Sequence, residues 1–170
     1  MKNVYLIALI SLFVSTSCVQ NSKKKDESST YYLIRHAEKD RTDPSNHNPN
    51  LTDVGLQRAE NWANYFKDIE FDAVYSSDYN RTKQTALPTA KANDLEIQFY
   101  NPSDLQVEIF KKNTKGQTVL IVGHSNTTPK FTNELLGKKK YEDMADNVNG
   151  GLYIVTITED AKTAKKLVVN

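Results

Sequence analysis

An α/β fold, with a mainly parallel sheet and helices on both of its faces, is predicted by three observations. Apolar runs of strand length alternate along the chain with stretches of helical period. The strand-length runs are nearly continuous in apolar residues, the pattern of strands covered on both faces. The body from Thr30 to Asn170 is long enough for one core that buries roughly two-thirds of its unfolded surface. A three-layer sandwich follows.

The elements are justified in order. Tyr31-Tyr32-Leu33-Ile34 is a short, wholly apolar run and makes the first strand. After a polar loop containing Pro44 and Pro49, Leu56, Ala59, Ala63 and Phe66 recur at helical spacing behind Thr52, a good N-cap. Trp62 on this helix is core or half-buried. Phe71 to Tyr75 is the second strand. A helix over 79–92 follows, which Pro88 is expected to kink or restart. Leu95 to Tyr100 is the third strand. Ser103 with Gln106 forms a capping-box pattern ahead of Leu105, Ile109 and Phe110. Val119 to Val122 is the fourth strand. The next helix passes Thr128-Pro129 and stops after Leu136 at Gly137. Gly151 to Thr158 and Lys166 to Val168 close the chain as a pair of strands.

The first 29 residues stand apart. Residues 1–18 combine Lys2, an apolar run from Val4 to Val14 and the small residues Ser15-Thr16-Ser17 before Cys18, the only cysteine. That is a secretory signal, too short to span a bilayer as a stable helix. It resembles a bacterial lipoprotein signal, which implies lipidation of Cys18 and a membrane-anchored place in the cell envelope, facing away from the cytoplasm. Ser15 departs from that pattern, so an ordinary cleaved signal or an uncleaved anchor stays open. Residues 19–29 are polar and aperiodic and read as a flexible tether, with Lys23, Lys24 and Lys25 solvated. The folded domain is then 30–170. Its formal net charge of +1, counted over the whole chain, offers no large basic field for nucleic acid. No His, Cys, Asp or Glu spacing resembles a metal site.

In parallel sheets, ligands sit beyond the carboxyl ends of the strands. Arg35-His36 follows the first strand and Gly123-His124 follows the fourth, so two of the three histidines lie at that edge. Ser76-Ser77 ends the second strand, and Arg81 opens the next helix. Two arginines, two histidines and the start of the helix after His124 converge on one crevice. Arginine offers a rigid fork of donors to phosphate oxygens, the helix start adds amide donors, and a neutral imidazole is a competent nucleophile near pH 7. His47 lies in the polar loop 39–50 and is exposed. Lys39, Arg41 and Asn46 border the crevice from that loop, and Lys138-Lys139-Lys140 suits a helix end.

Four motifs then stand in order: Arg35-His36-Ala37-Glu38; Leu51-Thr52-Asp53-Val54-Gly55; Val74-Tyr75-Ser76-Ser77 with Arg81 and Gln84-Thr85-Ala86; and Val122-Gly123-His124-Ser125. Together they resemble the histidine phosphatase superfamily, also called phosphoglycerate-mutase-like, and its compact branch of bacterial phosphohistidine phosphatases. The resemblance implies a phosphoryl group accepted by His36 in a pocket completed by Arg35, Arg81 and His124. It implies a small phosphorylated substrate, no cofactor and no metal, with Glu38 and Ser125 among the substrate-binding residues. The family places a general acid after the third strand, where Asp104 stands. Glu38 and Glu108 compete for that role, because a first-turn position would keep Asp104 ionised. Hydrolysis of a phosphomonoester or phosphoramidate is the expected activity. A non-catalytic phosphate-binding module is the alternative, and a phosphoryl mutase is disfavoured because a short chain leaves the site open to water.

Overall fold

The computed structural model describes residues 28–169. Cys18, the signal segment and most of the tether lie outside these described residues. Six strands and four helices follow one another as β1 (Ser29–Arg35), α1 (Asp53–Tyr65), β2 (Ala73–Ser77), α2 (Asn80–Ala92), β3 (Ile97–Tyr100), α3 (Val107–Asn113), β4 (Thr118–Gly123), α4 (Thr127–Leu136), β5 (Gly151–Ile157) and β6 (Lys162–Val168). One sheet holds all six strands in the order β3-β2-β4-β1-β5-β6. The first four pair in parallel, while β5 and β6 add antiparallel at one side.

Alternation along β1 shows both faces covered. Tyr31 and Leu33 enter a cluster with Val107 and Phe110 of α3 and Phe131, Leu135 and Leu136 of α4. Ile34, with Tyr32 packed beside it, faces Trp62, Phe66, Ala86 and Ala90 on the α1–α2 side. The sandwich therefore has the layers expected, with a core on each side of the sheet.

Several boundaries differ from the sequence reading, each for a local reason. β1 takes in Ser29, assigned above to the tether, because its buried Oγ accepts the Gly116 N–H. The buried face of α1 is Gly55, Ala59 and Trp62, continued by Phe66, while Leu56 is exposed. Pro88 neither breaks nor restarts α2, which runs unbroken to Ala92 with Ala86 and Ala90 locked in the core. The capping box at Ser103–Gln106 does not form. The Ser103 N–H donates to Asn101 Oδ1, Gln106 takes a left-handed conformation (φ 42°), and α3 starts only at Val107. Asp104 therefore precedes the helix, and the dipole argument against it lapses.

Candidate active site

Strand order brings the motifs together. β1 and β4 are parallel neighbours with Arg35 opposite Gly123, and the His36 N–H donates to the Gly123 carbonyl at 2.9 Å. His36 and His124 thus emerge side by side at the carboxyl edge, their rings 5.5 Å apart and inclined at 66°. Gly123 is required there, since a Cβ would meet the Tyr100 hydroxyl at 2.7 Å and Thr128 Oγ1 at 2.8 Å. β2 flanks β4 on its other side and carries Ser77 to the same edge. α2 begins three residues later and supplies Arg81. The Ala37 N–H donates to Thr85 Oγ1, whose hydroxyl donates to the Arg81 carbonyl, so the loop after β1 is tied to α2.

His36 is buried, and its Nδ1 lies 2.7 Å from the Ala37 carbonyl. A carbonyl only accepts, so Nδ1 carries the proton and Nε2 keeps the lone pair. Burial, joined by the positive charges of Arg35, His124 and Arg81, pushes the imidazole pKa down to about 3 against the opposing effect of the Ala37 carbonyl. His124 is pushed down to about 4 by burial and by Arg81, Arg35 and Lys39. Both rings are neutral at pH 7.

His124 Nε2 lies 2.9 Å from Ser77 Oγ. The Thr82 hydroxyl donates to the Ser77 carbonyl, and Ser77 Oγ donates to Thr82 Oγ1 at 3.1 Å. With its own proton engaged, Ser77 accepts from His124 Nε2–H, which leaves the lone pair on Nδ1.

Arg35 is buried. Its Nη1 donates to the carbonyls of Ala145, Asp146 and Val148, each at 3.1 Å, and its Nη2 pairs with Asp146 Oδ1 at 2.9 Å. The Arg81 guanidinium lies 4.5 Å over the Tyr79 ring, and the same ring meets His124 edge to face at 5.1 Å. Arg35 Nε and Arg81 Nε are both buried and make no hydrogen bond within the described residues. An unpaired buried donor costs about 1–3 kcal/mol. Two of them beside two neutral imidazoles are built to receive an anion.

The remaining predicted site residues fall elsewhere. Glu38 is gripped by Arg58, with Nε 2.8 and 2.9 Å from its two oxygens and Nη2 at 2.8 Å. Burial works to raise its pKa, but the Arg58 hydrogen bond and charge outweigh burial and hold it below the usual carboxylate range. It is a structural anion, unsuited to donate a proton. Glu108 is bound to Lys111 at 2.6 Å, facing solvent. Asp104 is exposed, accepts from Gln106 Nε2 at 2.8 Å, and lines a groove of about 1200 Å³ that takes in Asn126 and Thr127 but neither histidine. Ser125 is engaged through its backbone, its carbonyl accepting the Met144 N–H. The amides expected at the start of α4 are engaged internally: Thr127 N–H with Asn126 Oδ1 and Thr128 N–H with the His124 carbonyl. Arginine Nε groups take their place as the unpaired donors.

Sequence reasoning did not find Ser77, Thr82, Tyr79 or Asp146 as parts of the site. Ser76-Ser77 at a strand end was the available signal for the first. Asp146 gave none. Among the described residues no three His, Cys, Asp or Glu side chains gather as a metal-ligand group.

Residues 31–101 match the sequence model of the histidine phosphatase superfamily, branch 1. A search of curated proteins by sequence gives no match. Solved structures give clear ones. A protein assigned as the phosphohistidine phosphatase SixA from Agrobacterium tumefaciens is 21% identical, with a TM-score of 0.62 over 82% of this chain and 98% of that one. The protein histidine phosphatase SixA complexed with tungstate is 16% identical, with a TM-score of 0.63 over 82% and 96%. Phosphoserine phosphatase from Entamoeba histolytica, complexed with 3-phosphoglyceric acid, is 17% identical, with a TM-score of 0.59 over 84% and 98%. Residues 31–101 thus carry the sequence pattern of the histidine phosphatase superfamily, on a fold that these phosphatases share.

Proposed function

We propose that the protein hydrolyses phosphomonoesters or phosphoramidates through a phosphohistidine on His36, without a metal ion. The observation that carries this reading is the pair of buried, unpaired arginine Nε donors beside an imidazole whose Nε2 holds its lone pair. In the first step Nε2 attacks phosphorus, and the bond from phosphorus to the leaving atom breaks with its electron pair on the leaving group. Charge spread over the equatorial oxygens is met by Arg35 and Arg81. The proton stays on Nδ1, donated to the Ala37 carbonyl, which stabilises the charge that develops on the ring. In the second step water attacks phosphorus, its proton passing to His124 Nδ1, and the P–Nε2 bond breaks with its electron pair returned to His36 as inorganic phosphate leaves.

The carboxylates around the site bear on the substrate class. Glu38 is paired with Arg58, Asp146 with Arg35 and Arg41, and Asp78 with Lys83 at 2.7 Å. Ion-paired carboxylates are poor proton donors. Substrates whose leaving group departs without protonation, such as aryl phosphates and acyl phosphates, therefore suit the site best. The same ion pairing favours, as a second reading, a module that binds phosphate without turning it over.

The test is turnover of an aryl phosphate in the presence of a chelator, by wild type and by His36→Ala. Wild type should show a burst of leaving group equal to the enzyme present and acid-labile phosphate on His36. Equal rates for both proteins would overturn the proposal, and tight phosphate binding without turnover would establish the second reading. We also place the protein on a bacterial envelope membrane through Cys18, a reading supported by the pattern of residues 1–18. Unchanged mature mass and unchanged fractionation in Cys18→Ala would end it.

A further inference from the structure

We propose that Lys39 and Arg41 form a second anion subsite, so that the substrate carries another negative group close to the phosphoryl group that is transferred. The inference rests on the phosphoryl site proposed above. Lys39 is held in place by a β-bridge to Leu51, with the neighbouring Asp40 N–H donating to the Asn50 carbonyl. Its side chain is half-buried and makes no hydrogen bond or ion pair within the described residues. The charges that act on it are mainly Arg81, Arg41 and Arg35, with Asp146 the one anion among them; burial and those arginines hold its pKa below the usual lysine range. A half-buried ammonium facing arginines is unfavourable unless something negative joins it.

Asp146 shows how this edge holds an anion. Its Oδ1 bonds Arg35 Nη2 at 2.9 Å, while Oδ1 and Oδ2 lie 3.0 and 2.9 Å from Arg41 Nη2. Arg41 is 54% exposed and Asp146 72%, so their pair is weak and open to exchange with an incoming anion. The charge balance agrees. Arg35, Lys39, Arg41 and Arg81 face Asp146, while Glu38 is balanced by its own partner Arg58 and both histidines are neutral. A phosphoryl dianion leaves positive charge over, on the side of Lys39 and Arg41. Arginine and lysine there would accept either a carboxylate or a second phosphate.

Non-hydrolysable ligands test this independently of turnover. The probes are methylphosphonate, phosphonoacetate and methylenebisphosphonate, titrated into the full chain at pH 7 and low salt. Wild type should bind phosphonoacetate or methylenebisphosphonate at least tenfold more tightly than methylphosphonate, and whichever gains more identifies the second group. That advantage should vanish in Lys39→Gln and shrink severalfold in Arg41→Gln. Equal binding of all three probes, or an advantage retained in Lys39→Gln, would overturn the subsite. Failure of methylphosphonate to bind wild type at all would instead overturn the phosphoryl site beneath it, and the subsite with it.

Discussion

At the scale of single residues, the proposed catalytic pair, His36 and His124, is defined by where its protons sit. Ser77 fixes those of His124 by accepting Nε2–H while its own hydroxyl is engaged with Thr82. Ser77→Ala should lower kcat for an aryl phosphate by about five- to tenfold, the effect of losing roughly 1 kcal/mol of hydrogen bonding. Steady-state kinetics across pH checks it, because a misplaced tautomer alters the profile as well as the rate. Arg81→Lys keeps the charge but removes the Nε donor and the planar fork over Tyr79. It should cost on the order of a hundredfold in kcat/KM, as loss of a preorganised oxyanion donor does. The gathering of Arg35, His36, Arg81 and His124 at one sheet edge was legible in the sequence because each sits within a residue or a turn of an apolar strand. Asp146 was not. It reaches Arg35 across a sequence separation of 111, from a segment with no periodicity to place it.

At the scale of elements, the start of α1 holds the loop that follows His36. Thr52 caps the helix through the Gly55 N–H, and its own N–H donates to the Glu38 carbonyl. A Cβ on Gly55 would collide with that same carbonyl. Gly55→Ala should therefore destabilise the protein by about 1–3 kcal/mol, as overpacking does, and urea unfolding checks it. Strands and helices were placed correctly wherever period and capping agreed, as at Thr52 and at Gly137, which ends α4 with φ +73°. They slipped where tertiary contacts decide the boundary. β2 ends at Ser77 as read, but starts at Ala73, two residues later than its apolar run suggests. The Ser103–Gln106 box failed for a related reason, since Asn101 captures the Ser103 amide first.

For the whole molecule, the two neutral histidines link stability to pH. Both have pKa values near 6.5 when unfolded and about 3 and 4 when folded. Between pH 6.5 and about 4 the unfolded chain binds more protons at these sites, so stability rises with pH through that window. It is lost as pH falls, by up to about 1.4 kcal/mol per pH unit for each histidine. Thermal melts from pH 7 to pH 5 should show Tm falling, with a smaller fall in the His36→Ala/His124→Ala double variant. A parallel fall in both proteins would show that other groups govern acid stability. The layered architecture was legible from composition and run length alone. The antiparallel addition of β5 and β6 was legible as a pair of strands, but not its place beside β1, because nothing local to a strand names its neighbour.

β1 has one further consequence. The chain enters it at Ser29 and leaves it at Arg35, so the edge that carries His36 and the first residue of the strand lie at opposite ends, about 20 Å apart at some 3.3 Å per residue. Whatever holds the N-terminus, whether a lipid, a fusion partner or a solid support, grips the molecule from behind. The mouth of the site stays free to meet a bulky phosphorylated partner as readily as a small ester. Immobilisation through residues before Ser29 should therefore leave accessibility to large substrates intact, whereas a load on the loop carrying Asp146 would stand in the doorway.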